Sequence, residues 1–289
     1  MKIRLGYLGY RGNRKKWRDF GCDLFGLQAI DTEDALLLRN DARTWRLSVA
    51  EEDGPAIRFI GLEVDNHADL DDLAQRLTEA GFKPQEDKAL AQARSVSRLL
   101  RAYDPDGNPL EFYAGALVDP TAFVSPTGAT FVTGNAGLGH ILLSVANAEA
   151  SLRFYMDVVG MKRSDILDMG GGIEGHFLNG GLRHHVIAIA QVPDLLGLHH
   201  IYIEVDSVLT VGRAWDRIRE KRVPVISQIG QHANDPAFSF YVQSPSPFAF
   251  EYGTGSLTID PDTWVETRWN TAFLWGGGPL EQQTGGDDE

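Results

Sequence analysis

What most constrains the fold of this chain is an order of apolar segments that recurs four times. IRLGYLGY, at the start, reads as a strand, and the stretch after it carries Trp17, Phe20 and Leu24 at helical spacing; strand-like LLLRN and TWRLSVAEE follow. A second cycle begins at IRFIGLEV and continues through a helix with Leu70, Leu73 and Leu77 on one face. It closes on two strands separated by the turn residues DPDGNP. The third cycle starts at GLGHILLSV, places Leu152, Tyr155 and Val159 on one helical face, and ends in GHFLN and RHHVIAIAQV. The fourth runs from LHHIYIEV through a helix bearing Val211, Trp215 and Ile218 to VPVISQIG, AFSFYVQS and FAFEYGTG. The fourth cycle reads β-α-β-β-β and the first three follow the same order with two strands marked after the helix, so the chain is expected to be α+β, built from four βαβββ modules paired two by two. From 117 to 133 the apolar periodicity lapses and Pro120 and Pro126 appear. That stretch is expected to be a surface linker between a front unit, 1–116, and a rear unit, 134–289.

The polar residues are distributed unequally between the halves. Seven of the eight histidines lie between Gly137 and Gly255. His140 in GLGHILLSV, His200 in GLHHIYIEV and Glu251 in FAFEYGTG each interrupt a strand-like apolar run, where a charge or an imidazole needs a partner. Laying DPDGNPLEFYAG on SPSPFAFEYGTG, and WRDFGCDLFGL on LRFYMDVVGM, puts Tyr7 opposite His140, Phe59 opposite His200 and Glu111 opposite Glu251. The front half therefore has the scaffold without the two imidazoles, and its expected role is structural. Two histidines and one carboxylate on one side of a mononuclear site suit non-haem Fe(II), with positions left open. In HHIYIEV the second histidine directly precedes the strand, as His140 does in GHILLSV, which favours His200 over His199.

Composition excludes several other classes. Lys and Arg total 27 against 40 Asp and Glu, a net charge of -13 that repels phosphate backbones and anionic lipid; neither nucleic acid nor membrane is an expected partner. Cys22 stands alone and can make no internal disulfide. With a start, MKIRLGYLGYRGNRKK, that lacks an apolar leader core, this leads to the expectation of a cytoplasmic protein.

FVTGNAGLGH, LRHHVIAIA, LHHIYIEV, GQHANDPAFSFYVQSPSPFAFEYGTG and the tail from Trp264 to WGGG together resemble the two-domain, type I extradiol ring-cleavage dioxygenases of the vicinal oxygen chelate superfamily. The resemblance covers nearly the whole chain. It implies paired βαβββ modules curling into a funnel in each domain, with Fe(II) only in the C-terminal one. Carried over residue by residue, it implies His140, His200 and Glu251 as metal ligands and His185 as the acid/base. His232 and Tyr241 match the pair that hydrogen-bonds the substrate, and Asn234 and Asp235 stand behind them. The implied partners are a catechol-type diol and O₂, with a bicyclic or larger ring such as a 2,3-dihydroxybiphenyl favoured, and a homo-oligomeric assembly. The segment from Met161 to His185 is short and glycine-rich, with glycines at 170 to 172, and departs from the family where its residues wall the substrate pocket.

The chemistry agrees with these assignments. Phenolic hydroxyls titrate near 10, so deprotonating a diol at neutral pH takes both a metal's charge and a base, for which an imidazole titrating near 6.5 is suited. Mn(II) accepts the same ligands as Fe(II). Two other functions fit the scaffold: a glyoxalase-like isomerase or lyase, and a metal-free small-molecule binder. The first would call for a fourth protein ligand, which RHHVIAIAQV does not offer; the second has no use for His140, His200 and Glu251 together. Tyr241 could serve as a core aromatic, and Glu251 as a strand-end carboxylate like Glu111.

Overall fold

A computed structural model of the chain describes residues 1–279. The front half contains strands β1 (Ile3–Arg11), β2 (Gln28–Asp31), β3 (Leu36–Arg39), β4 (Leu47–Ala50), β5 (Ile57–Val64), β6 (Gln85–Glu86), β7 (Val96–Tyr103) and β8 (Pro109–Ala116). Its helices are α1 (Arg14–Arg18), α2 (His67–Glu79) and α3 (Lys88–Arg94). The rear half contains β9 (Gly139–Ser144), β10 (Lys162–Asp168), β11 (Glu174–Asn179), β12 (Ile187–Ala190), β13 (Gly197–Glu204), β14 (Val225–His232), β15 (Phe238–Gln243), β16 (Ala249–Thr254), β17 (Thr267–Trp269) and β18 (Phe273–Gly276). Its helices are α4 (Ala148–Leu152) and α5 (Val208–Glu220). Both α1 and α4 continue into one wider π-type turn, over Asp19–Leu24 and Arg153–Val158.

These elements form two curled mixed sheets. The front sheet runs β2-β3-β4-β1-β5-β8-β7-β6, and the rear sheet repeats that order as β10-β11-β12-β9-β13-β16-β15-β14, with β17 and β18 added at its two ends. In each half the central strands β1 and β5, or β9 and β13, pair antiparallel and join one module to the next. The helices follow the expected faces: Leu70, Leu73 and Leu77 of α2 and Val211 and Ile218 of α5 are fully buried. Asn66 and Ser207 cap the two helices by accepting the amide protons of Asp69 and Thr210. One apolar core cluster runs through both halves, from Ile3 to Tyr252. Polar ties cross between them: Trp17 Nε1 donates to Ser246 Oγ at 2.8 Å, and the buried Tyr155 hydroxyl donates to Asp104 at 3.0 Å.

The 117–133 stretch is surface-lying at Leu117, Val118 and Val124, all exposed. Near its end it is tied down: Ser125 Oγ donates to the Gly26 carbonyl at 2.8 Å and Ala129 is buried. The glycines at 170–172, all with positive φ, make the exposed turn between β10 and β11. Residues 280–289, the end of the rear unit drawn from sequence, lie outside the described residues. No helix among those described is long and apolar enough to cross a membrane.

Candidate metal centre

Strand pairing assembles the rear site. Directly opposed residues on neighbouring strands point to one face of a sheet. His140 on β9 opposes Tyr202 on β13, which opposes Glu251 on β16, which opposes Tyr241 on β15. This row crosses four strands on the concave face. His200 joins it two residues before Tyr202, where β13 carries a bulge between Leu198 and His200. A bulge re-aims side chains, and here both His199 and His200 reach the cavity.

His140, His200 and Glu251 bring their ligating atoms together. The two imidazole Nε2 atoms are 3.3 Å apart, and Glu251 Oε2 lies 3.3 Å from that of His140 and 3.5 Å from that of His200. All three residues are buried, and among the described residues Glu251 Oε2 has no hydrogen-bond donor of its own. An orphaned carboxylate oxygen between two imidazole nitrogens costs free energy unless a cation occupies the space. The centre of such a triangle is about 2 Å from each corner, the distance at which nitrogen and carboxylate oxygen bind first-row divalent ions. The donor set therefore fits the cation that these residue types imply. Burial pushes the Glu251 carboxyl up, but the imidazoles of His140 and His232 outweigh it and hold the group well below the usual carboxylate range. Its other oxygen, Oε1, accepts from Ser239 Oγ at 2.6 Å and faces His232 Nε2 at 3.3 Å.

The other sequence-selected residues surround this centre. Burial, followed by the neighbouring histidines, holds the imidazole of His185 well below its ordinary value and therefore neutral. Its ring lies 3.9 Å from that of His140 and meets Phe177 edge-on at 4.9 Å. The Tyr241 hydroxyl is 2.9 Å from His232 Nε2, and burial next to Glu251 pushes its pKa up. His232 places Nδ1 3.2 Å from the Ala272 carbonyl and stacks on Phe273 at 4.5 Å. Burial favours its neutral ring, but Glu251 outweighs that and holds its pKa above the ordinary imidazole value. Asp235 Oδ2 is 3.6 Å from His185 Nδ1, its pKa raised by burial, and its Oδ1 accepts the Leu257 amide. Asn234 lines the cavity with its Nδ2 buried and without an acceptor among the described residues. All eight selected residues thus border one cavity of about 300 Å³. Its apolar wall includes Leu142, Leu167, Met169, Phe177, Ala188 and Phe273.

Sequence reasoning missed several residues here. Tyr202 stacks on His140 at 4.6 Å, and Ser239 holds Glu251. His199 places Nδ1 2.9 Å from His200 Nδ1. Alternation along β13 and β15 could have found Tyr202 and Ser239, since each lies two positions from a selected residue. Nothing in the sequence pairs His184 with Asp165, 2.8 Å apart and both completely buried.

The equivalent place in the front half is filled differently. Register puts Tyr7, Phe59 and Glu111 at the positions of His140, His200 and Glu251. Helix α3, which the sequence reading did not anticipate, brings in Arg94. Its guanidinium lies 2.8 Å from Glu111 Oε1 and 3.8 Å above the Phe59 ring, while the Tyr7 hydroxyl donates to Glu111 Oε2 at 2.7 Å. A fixed organic cation occupies the front funnel where the rear funnel converges three ligand atoms.

Paired βαβββ units with a buried His–His–Glu cluster in the second pair define a class, and the chain belongs to it: residues 137–252 match the Glyoxalase/Bleomycin resistance protein/Dioxygenase superfamily, and 5–51 match the Dihydroxybiphenyl dioxygenase BphC D1 family. Within that superfamily the chain is a type I extradiol dioxygenase by similarity along its whole length. It is 36% identical over 286 residues to biphenyl-2,3-diol 1,2-dioxygenase of Paraburkholderia xenovorans, covering 96% of this chain and 95% of that protein. It is also 36% identical to 3-methylcatechol 2,3-dioxygenase of Pseudomonas putida, covering 94% of this chain and 96% of the relative. Among solved structures, a halotolerant catechol dioxygenase superposes with a TM-score of 0.92 at 34% identity, covering 97% of this chain and 95% of the other.

Proposed function

We infer that this chain cleaves a catechol-type aromatic diol next to its hydroxyl pair, outside the diol, inserting both atoms of O₂, with Fe(II) held by His140, His200 and Glu251. The observation that carries the reading is Glu251 Oε2, buried, without a donor among the described residues and converging with two imidazole nitrogens, in a chain similar over 96% of its length to a diol dioxygenase. Fe(II) bound there supplies Lewis acidity toward the diol oxygens and redox capacity toward O₂. A site with only three protein ligands leaves room for both reactants.

The chain's own residues handle the protons. His185, kept neutral by burial, would enter as a base and take a proton from the diol. Having taken it, the ring can return it to oxygen later in the cycle. His232 and Tyr241 form a hydrogen-bonded pair at the cavity wall that holds the ligand's oxygen atoms, with Phe273 stacked behind His232 fixing the ring plane. Asn234 offers an uncommitted amide to the same space, and Asp235 stands behind His185. The apolar wall supports a diol carrying a second ring, such as a 2,3-dihydroxybiphenyl, over bare catechol. The Arg94 plug supports a structural role without metal for the front unit, 1–116, joined through 117–133 to the rear unit. The lone cysteine supports a reducing, cytoplasmic setting.

The test is anaerobic loading with Fe(II), then oxygen uptake and product absorbance with 2,3-dihydroxybiphenyl and with catechol. The expected result is one O₂ per diol, a yellow ring-cleavage product, and a higher kcat/KM for the bicyclic diol. Metal binding without oxygen uptake would reassign the site to isomerase chemistry, and neither would leave a binding protein.

A further inference from the structure

Behind His185 stand two side chains that the chemistry above has not used. His184 and Asp165 are both completely inaccessible, and His184 Nε2 lies 2.8 Å from Asp165 Oδ2. Asp165 Oδ1 accepts the Thr267 amide at 3.1 Å and the same residue's hydroxyl, so strand β17 of the tail locks the carboxylate in place. Trp264 meets the His184 ring edge-on at 5.5 Å. On its far side, His184 Nδ1 is 3.1 Å from His185 Nδ1.

Two ring nitrogens at that separation hold one proton between them, and the carboxylate decides which ring owns it. Asp165 is an acceptor, so the hydrogen on His184 is at Nε2. A neutral imidazole with its hydrogen at Nε2 presents a lone pair at Nδ1. The proton between the rings therefore belongs to His185 Nδ1, and the lone pair of His185 is left at Nε2. Asp235, 3.6 Å from His185 Nδ1, is beyond normal hydrogen-bonding reach and does not compete for that proton.

We propose that Asp165 and His184 are positioning residues, a buried carboxylate–imidazole pair that sets the tautomer of His185 so that its free base nitrogen is Nε2. The proposal rests on the reading of His185 as the acid/base and adds the two residues that prepare it. His184, His185 and Asp235 could also be viewed as three ligands for a second cation. That arrangement would need both Nδ1 atoms free of hydrogen, facing each other as two lone pairs at 3.1 Å whenever the cation is absent.

Asp165→Asn tests this at constant size. An asparagine can keep its oxygen toward Thr267 and turn its amide toward His184 Nε2, which moves the hydrogen of His184 to Nδ1 and that of His185 to Nε2. In nitrogen-15 histidine spectra of the chain loaded with diamagnetic Zn(II), His185 is expected to be protonated at Nδ1 in the wild type and at Nε2 in D165N. With Fe(II), D165N is expected to lose at least about tenfold in kcat, the scale of a lost orienting partner, with KM and bound iron unchanged. His184→Asn, whose amide oxygen can accept in place of Nδ1, is expected to keep more of kcat than His184→Leu. A D165N protein with wild-type kcat and His185 still protonated at Nδ1 overturns the proposal, as does a second bound metal equivalent lost in H184L. A wild-type protein that binds iron and consumes no oxygen instead overturns the acid/base reading, while the tautomer spectra still report on Asp165.

Discussion

Arg94 gives the front half its most decisive test. Its guanidinium pairs with Glu111, itself only 5% exposed at the side chain, and covers Phe59, while Tyr7 donates to the other Glu111 oxygen. Arg94→Met removes the cation and leaves the carboxylate buried with a single hydroxyl donor. Breaking a buried ion pair from one side costs about 3–5 kcal/mol; Arg94 keeps 19% exposure and Tyr7 remains, so the lower end, about 3 kcal/mol, applies. The double variant R94M/E111L removes both charges. It leaves only the Tyr7 hydroxyl without its acceptor, a loss of about 1 kcal/mol. The double variant is thus expected to be more stable than R94M by about 2 kcal/mol, a coupling that separates an uncompensated charge from lost packing. Urea unfolding followed by circular dichroism reads both values, with iron content and kcat measured on the folded enzyme and expected to be unchanged. If R94M costs less than about 1 kcal/mol, or R94M/E111L is as unstable as R94M, the guanidinium is not what neutralises the front funnel.

Three further outcomes follow from the rear site and its supports. Fe(II) at one hundred times its dissociation constant is expected to stabilise the wild type by about 2.7 kcal/mol and Glu251→Ala not at all; anaerobic thermal melts with and without chelator check this. His200 Nδ1 has His199 Nδ1 as its partner at 2.9 Å, so His199→Ala is expected to weaken iron binding about 10- to 100-fold, measured by competition with a chelator. Burial raises the Asp41 carboxyl, but Arg46 at 2.5 Å prevails and lowers it. A pKa depressed in the folded state adds stability that is fully present above the unfolded value of about 3.9 and is lost as pH falls through the folded one. Stability measured from pH 6 down to pH 3 should accordingly fall less steeply in Asp41→Asn than in the wild type; an equal slope would show that the pair does not contribute.

Much of the site could be read from the sequence because strand alternation is a local rule. His140, His200 and Glu251 interrupt apolar runs, and a polar residue inside such a run must face something that satisfies it. The repeat sharpened this, since equivalent positions in two halves expose which polar residues are present in only one, while His185, His232, Tyr241, Asn234 and Asp235 were legible only through the resemblance to the extradiol dioxygenases. Elements with weaker signals were lost. Strand β10 was hidden by the charges in KRSDILD, helix α3 by its seven residues, and β17 and β18 by tail segments of three and four residues that gain order only by pairing with β10 and β14.

By itself the sequence determined the module order, the α+β class, the unequal halves and the placing of His140, His200 and Glu251 inside apolar strands, because periodicity and burial are encoded residue by residue along each strand. The closure of three ligand atoms to within 3.5 Å, the bulge that brings two adjacent histidines to one cavity, the Arg94 plug and the Asp165–His184 pair were decided only by tertiary structure. The physical reason is that each depends on groups from different strands or helices meeting at hydrogen-bonding range, and sheet curvature and register set those separations after the local pattern has been satisfied.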